Sequence, residues 1–449
     1  MKKKISVLTA LILVFVLVFT LGACTIGGKN SNTDIDGDFD PSQGGKITIW
    51  WPGSSVEMKA LEQAKADYTE KYPKVTIEII PQSTPDFYSA YLLACSGNSA
   101  PDIAYVDHVY VQQLAFYGYI ANLSSIGYDE ELKDVFVPSL WNSNFYGDDL
   151  YALPMSANIL ATVYNKTLIA KAQGVDVEDI TLPTNYEEFV VLANQIAALN
   201  NLPDADKSDP YYAITLPSGT GNTSMGAMTF LQFVDRCGGT GILSEDLKTS
   251  LLNTESCINA AKMLYDMGQY STSTFAEAKF ESGKVAFIEM GPWKISDYEK
   301  YSKNYGWEVG YTTAIPFTEG GNTGSTLGLY SLVVTNNKNA ALAADFAKFV
   351  TTNDKYQLEF ATAQNLIPAT KTALEDEYYS SEVWQAYIAQ LDHAVIRPGS
   401  PAWTDIEEAL GSFVTKLVQR QYDNEEKVQQ ACFGIHNQIT EALNEIYEE

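Results

Sequence analysis

Trp51, Trp293 and Trp403 each stand at the edge of a predicted element. Trp51 closes the run KITIWW, three residues ahead of Ser54. Trp293 sits in the turn Gly291-Pro292-Trp293 after the run Val285 to Met290, and Trp403 immediately precedes Thr404, the cap of a predicted helix. An aromatic at the mouth of a loop is poorly placed to fill a core, and its face can stack on the C–H surface of a sugar ring while polar neighbours take the hydroxyls. Three at such junctions point to a binding site as much as to packing. Asp107 and His108, directly after the predicted strand Ile103 to Val106, also lie at a sheet mouth, where they could hydrogen-bond a ligand or act in acid–base chemistry.

Enzyme signatures are mostly missing. The chain carries no H-E-x-x-H, G-x-S-x-G, Walker loop or G-x-G-x-x-G. Gly219-Thr220-Gly221 lacks a third glycine and follows no clear strand. His108, His393 and His436 are too few and too scattered for a histidine-rich metal site or a triad. With 56 acidic residues, a carboxylate pair for glycoside hydrolysis is open but unspecific.

The elements that must hold these residues alternate. KITIWW reads as a strand, Ser54-Ser55-Val56-Glu57 as a capping box, and Val56, Ala60, Leu61, Ala64 and Tyr68 as the apolar face of the helix behind it. Pro73 ends that helix before a second strand, Val75 to Ile80. A helix over Phe87 to Ser96, a strand over Ile103 to Val106 and a helix over Val109 to Tyr117 continue the pattern, followed by strands Leu150 to Pro154 and Ile159 to Tyr164. Thr184-Asn185-Tyr186-Glu187 and Thr404-Asp405-Ile406-Glu407 read as two further capping boxes. No internal repeat is present. Such alternation predicts an α/β fold with helices on both faces of mostly parallel sheets and ligands outside the carboxyl ends of strands.

The 449 residues, 46% of them apolar, suffice for two or three domains, and two lobes are expected. A net charge of −27, spread along the chain, argues against nucleic acid and for solubility. Lys2 to Lys4 precede an uncharged apolar stretch from Ile5 to about Leu21, ending Leu21-Gly22-Ala23-Cys24, which reads as a secretion signal. A retained membrane anchor is the competing reading, although small residues before Cys24 suit a peptidase better. Residues 24–45 are polar and Gly-, Ser-, Asn- and Asp-rich, as a flexible tether should be. Asp34, Asp36, Asp38 and Asp40 have the alternation of a calcium loop, but Gly45 occupies the position where that loop needs glutamate. Cys95, Cys237, Cys257 and Cys432 form no C-x-x-C pair, so zinc is not supported. Outside the cell they are either up to two disulfides in three possible connectivities or buried thiols.

Leu-Gly-Ala-Cys resembles the lipobox of bacterial lipoproteins, which implies acylation of Cys24. A larger resemblance runs through the body: ITIWW, SGNSAPDIAYVD at 96–107, GYIANLSS at 118–125, LYALPMSANILATVYNKTL at 150–168 and LPTNYEEFVVLA at 182–193. FESGKVAFIEMGPW at 280–293, GSTLGLYSLVVTNNKNAALAADFAKFVTT at 324–352 and NLIPATKTAL at 365–374 complete it. In this order they resemble the extracellular solute-binding proteins of ABC importers, in particular the family that includes the maltose-binding proteins.

The resemblance implies a two-lobed periplasmic-binding-protein-like fold with a ligand cleft between the lobes. Residues 46–155 plus 325–372 would form lobe one, and 156–324 plus 373–449 lobe two. Crossings would fall near Pro154 to Asn158, Thr323 to Leu327 and Thr372 to Glu377. Carried over residue by residue, the ligand positions fall on Trp51, Ser54, Ser83, Thr84, Asp107, His108, Asn158, Trp293 and Trp403. The chain departs from the maltose-binding pattern at Asn158, where those proteins carry a carboxylate, and over Thr223 to Met228, which lacks their aromatic; both argue against maltose itself. The implied protein is a lipid-anchored, monomeric carbohydrate-binding subunit on the extracytoplasmic face of the membrane, without catalysis, metal or cofactor, delivering its sugar to an ABC permease. A secreted sugar-active enzyme is the alternative in another class, and a peptide or phosphorylated polyol the alternative ligand.

Overall fold

In the computed structural model, which describes residues 33–35, 39–83 and 87–447, the strands gather into two main sheets. In chain order they are β1 (Gly45–Trp51), β2 (Val75–Pro81), β3 (Ile103–Asp107), β4 (Ala152–Ile159), β5 (Ala161–Asn165), β6 (Tyr212–Thr215), β7 (Val285–Met290), β8 (Val309–Thr312), β9 (Ser325–Val334), β10 (Ile367–Pro368) and β11 (Ala394–Val395). The seven-stranded sheet has the order β10-β4-β9-β3-β1-β2, with β11 beside β9; the four-stranded sheet has the order β8-β5-β7-β6.

The opening strand–helix–strand unit forms as its local chemistry dictates. Ser54 caps α1 (Ser55–Lys71) with both bonds of the capping box, and the helix buries Ala60, Leu61, Ala64 and Tyr68 at helical spacing. Val56, expected on that face, is exposed in the first turn. Both faces of the large sheet are covered. In β3, Ile103 and Tyr105 enter one apolar cluster while Ala104 and Val106 enter another, the alternation of a strand buried on both sides.

Parallel pairing holds where helices cross over, in β1 with β2 and β3, and in β6 with β7; β9 with β11 is also parallel. The remaining pairings are antiparallel: β9 with β3 and β4, β10 with β4, and β5 with β7 and β8. The expectation of mostly parallel sheets is corrected there. The reason is connectivity: β4 leads from the large sheet into the small one and β9 returns from it, so neither enters its sheet through a βαβ crossover. The change of sheet falls at Leu160, between β4 and β5.

The tether is also corrected. Residues 1–32, on which the expected secretion signal and Cys24 fall, lie outside the described residues, as does Thr84. Residues 33–35 are docked rather than loose. Asp34 bridges Asn122, the Thr33 carbonyl accepts from the Asn122 amide at 2.8 Å, and Ile35 is buried in the core of the large sheet. Cys95, Cys237, Cys257 and Cys432 are all free thiols, and burial pushes those of Cys237 and Cys432 up to about 12.

Candidate functional site

A cleft of about 540 Å³ opens between the two sheets. Its walls differ in chemistry. The large-sheet wall is polar and aromatic: Ser54 and Glu57 from the start of α1, Tyr105 and Asp107 from the end of β3, Asn158 from β4 and Tyr330 from β9. Gln364 and Arg397 close that side. The small-sheet wall is apolar, built of Pro217, of Met225 and Met228 on α2 (Thr223–Arg236), and of Trp293 in the turn after β7. Leu160, Thr326 and Gly328 lie between them. A side chain at Gly328 would bring its Cβ to 2.3 Å from Asn158 Oδ1, so glycine there is what lets Asn158 enter the cleft.

Of the residues expected at the site, Ser54, Asp107, Asn158 and Trp293 line the cleft. Trp293 is 38% exposed, an aromatic surface available to a ligand. The Ser54 hydroxyl oxygen accepts from the Glu57 amide at 3.3 Å and from Gln364 Nε2 at 2.5 Å, which leaves its own proton to donate to a ligand in the cleft. Asp107 receives Arg397 Nη2 at 2.5 Å and the Val109 amide at 3.3 Å. Burial would raise its carboxyl, but the Arg397 guanidinium and His108 outweigh burial and hold it well below the usual carboxylate range. Arg397 stays charged despite its own burial because Asp107 faces it.

The other expectations need correction. Trp51 is 1% exposed and packs in the core, with its ring stacked on Tyr105 at 4.2 Å. Trp403 is not a residue before a cap but the first residue of α3 (Trp403–Val418), where it shares a buried face with Ile406 and Leu410 in the small-sheet core. The helix starts early because the Ser400 carbonyl takes the Trp403 amide, bringing the ring to the inner face. His108 is 2% exposed and does not reach the cleft: Nδ1 lies 3.1 Å from Asp107 Oδ1 and 3.3 Å from the Leu329 carbonyl. Both neighbours are acceptors, so the neutral ring carries its proton on Nδ1 and leaves Nε2 without a partner. Burial lowers its pKa, Asp107 notwithstanding. Ser83 is exposed and away from the cleft lining.

Tyr105, Tyr330, Gln364 and Arg397 were missed. Arg397 had a signal: it is one of three arginines in a strongly acidic chain and precedes Pro398 in a Gly- and Pro-rich stretch. Among the described residues no cluster of three or more His, Cys, Asp or Glu is arranged to hold a metal ion. No helix of the described residues is long and apolar enough to cross a membrane.

Two mixed sheets with a cleft between them, lined from both sides and carrying an arginine–carboxylate pair and aromatic side chains, define a two-lobed binding fold. The profile of the bacterial extracellular solute-binding proteins matches residues 63–390, and the chain belongs to that family. It is 22% identical over 382 residues to the maltotriose-binding protein of Pyrococcus abyssi, covering 82% of this chain and 77% of that one. It is also 22% identical over 433 residues to the galactooligosaccharide-binding protein of Bacillus subtilis, covering 92% and 93%. Among solved structures, the cyclic alpha-maltosyl-1,6-maltose binding protein of Arthrobacter globiformis superposes with a TM-score of 0.75 at 21% identity, covering 90% of this chain and all of that one. That likeness is one of fold.

Proposed function

We propose that this chain captures a saccharide in the cleft between its lobes and hands it to an ABC permease, without chemical change to the sugar. The observation that carries the reading is the pairing of an exposed Trp293 on an apolar wall with Ser54, Asn158 and the Asp107–Arg397 pair on a polar one. A pyranose has both surfaces, C–H faces for the aromatic and hydroxyls for the polar groups. The sugar-binding names of the relatives support the same class. Closure of the cleft follows ligand binding only as far as the closed form binds the sugar more tightly than the open form does.

In this proposal lobe one holds the large sheet, with all of β4 to Ile159 and β9, and lobe two the small sheet, so the first change of lobe falls at Leu160 and not at the expected 155/156 boundary. Residues 1–23 are removed as a lipoprotein signal and Cys24 is acylated, which holds a monomer at the extracytoplasmic face of the membrane. A thermal-shift screen of the chain from residue 25 against mono-, di- and oligosaccharides, with peptides and sugar phosphates as controls, tests it. A saccharide at 100 times its dissociation constant stabilises by about 2.7 kcal/mol and is recovered intact. Cleavage of that saccharide would make the protein an enzyme, and stabilisation by the controls alone would remove the sugar.

A further inference from the structure

Three consecutive residues, Thr33 to Ile35, bind the segment Asn122 to Ser125 at the end of the large sheet away from the cleft. The Asn122 amide donates to the Thr33 carbonyl at 2.8 Å, Asn122 Nδ2 to Asp34 Oδ1 at 3.2 Å, and the Ile35 amide to Ser125 Oγ at 2.9 Å. The receiving segment is itself fixed. The Ser125 hydroxyl donates to the Asn122 carbonyl at 2.6 Å, Asn122 Oδ1 takes the Ser124 amide at 2.9 Å, and the Ala121 amide donates to the carbonyl of Val334, the last residue of β9. Ile35 supplies the apolar part of the contact and is 8% exposed in the core cluster of the large sheet. Along β9 the cleft-lining Gly328 lies six residues from Val334, roughly 20 Å at the rise of a strand, so this contact is separate from the sugar site.

We propose that residues 33–35 are a clasp by which the chain seats its own membrane tether on lobe one, holding the Asn122 to Ser125 end of that lobe close to the lipid surface. This rests on the acylation of Cys24 in the reading above. The physical consequence is length. From Cys24 to Thr33 is a span of nine residues with a reach of at most about 32 Å, whereas from Cys24 to Gly45, where β1 begins, is 21 residues and about 75 Å. Effective concentration at a membrane partner falls as about the −3/2 power of linker length, so the clasp raises it about fourfold over the same chain with the contact undone. The surrounding sequence is polar enough that the seat has one obvious apolar anchor: from Thr25 to Gly45 the large apolar residues are Ile26, Ile35 and Phe39, and Ile35 is the one whose backbone is also bonded to the lobe.

The chain from Cys24, joined through that thiol to a maleimide lipid in phosphatidylcholine vesicles, tests the clasp without needing acylation in the cell. Cys237→Ser removes the one half-buried thiol, and the other three are buried. Hydrogen exchange at the amides of Ile35 and Asn122 is slow, and Ile35→Glu speeds it at least about tenfold. Energy transfer from the tryptophans to a dansyl-labelled lipid falls in the same variant, while its Kd for any saccharide that binds stays that of the unaltered protein. Ile35→Ala, which only shortens the side chain, shifts exchange and transfer in the same direction and serves if the glutamate variant does not fold. Exchange of the Ile35 amide at the rate of an unfolded peptide in the unaltered protein overturns the clasp. Equal energy transfer with and without Ile35→Glu overturns its control of reach. A full chain isolated from bacterial membranes with no acyl chain on Cys24 overturns the anchor reading, and the control of reach with it, even where the Ile35 amide is protected.

Discussion

Ser325 and Leu160 hold each other across two of the segments that join the sheets: the Ser325 hydroxyl donates to the Leu160 carbonyl at 2.8 Å and accepts from its amide at 3.0 Å. Leu160 separates β4 from β5, and Ser325 opens β9. The two connecting segments are thereby tied to each other at the mouth of the cleft. Nearby, Arg236 grips Glu289 with two bonds of 2.6 and 3.0 Å and donates through Nε to the Gly324 carbonyl, fixing the same junction from the small-sheet side.

Ser325→Ala strands the Leu160 amide and carbonyl where Ser325 itself is fully buried. Leaving buried backbone groups without partners costs about 1–3 kcal/mol. A fall of that size in the urea-unfolding free energy is expected, with saccharide chemistry unaltered. An unchanged midpoint would mean water replaces the hydroxyl at no cost.

Asp107 and Arg397 form a second clasp, from the end of β3 to the segment that leads into α3. Arg397 is 6% exposed, so Asp107→Asn leaves a charge out of water facing a neutral amide. The expected loss of stability is about 3 kcal/mol, and the double variant Asp107→Asn with Arg397→Met recovers much of it, because no buried charge remains. A double-mutant cycle checks this. Purely additive costs would show that the two groups do not depend on each other.

His108 gives the fold a pH dependence of definite sign. Burial depresses its pKa in the folded protein below the ordinary histidine value of 6.5, while the unfolded chain protonates near that value. The unfolded state therefore binds the extra proton first, so stability is full above about pH 6.5 and falls as pH drops through that value toward the folded pKa. His108→Gln flattens the slope of stability between about pH 7 and pH 5, where Asp107 is still ionised. Parallel slopes for the two proteins in denaturant titrations would refute this.

The opening strand, the capped α1 and the strand over PDIAYVD were legible because each is stated locally: a β-branched run, a Ser-x-x-Glu box, a short apolar run behind Pro101. Pairing direction was not, since whether β9 lies beside β3 or elsewhere depends on a return from the small sheet more than 200 residues away. The site divided the same way. Trp293 could be found from its turn, and Asn158 from the family resemblance. Tyr330 could not, because its exposure comes from a register shift against β4, and a tyrosine amid LGLYSLVV reads as one more core residue. His108 and Trp51 stand at strand ends as expected, but a strand end fixes the position of a backbone and leaves open which way the ring turns.

Trp293 and Trp403 separate binding from folding most directly. Both stand beside helix starts and looked alike in sequence, yet Trp293 is 38% exposed in the cleft and Trp403 is 5% exposed in the small-sheet core. Trp293→Ala therefore weakens saccharide binding by about 1–3 kcal/mol through loss of its stacking and apolar contact, with the melting temperature nearly unchanged. Trp403→Ala opens a cavity beside Ile406 and Leu410 and costs about 3–5 kcal/mol of stability. At temperatures where that variant remains folded, its affinity for the saccharide matches the unaltered protein. Calorimetric titration and thermal unfolding of the same two variants check both statements, and a binding defect in folded Trp403→Ala would return that residue to the cleft.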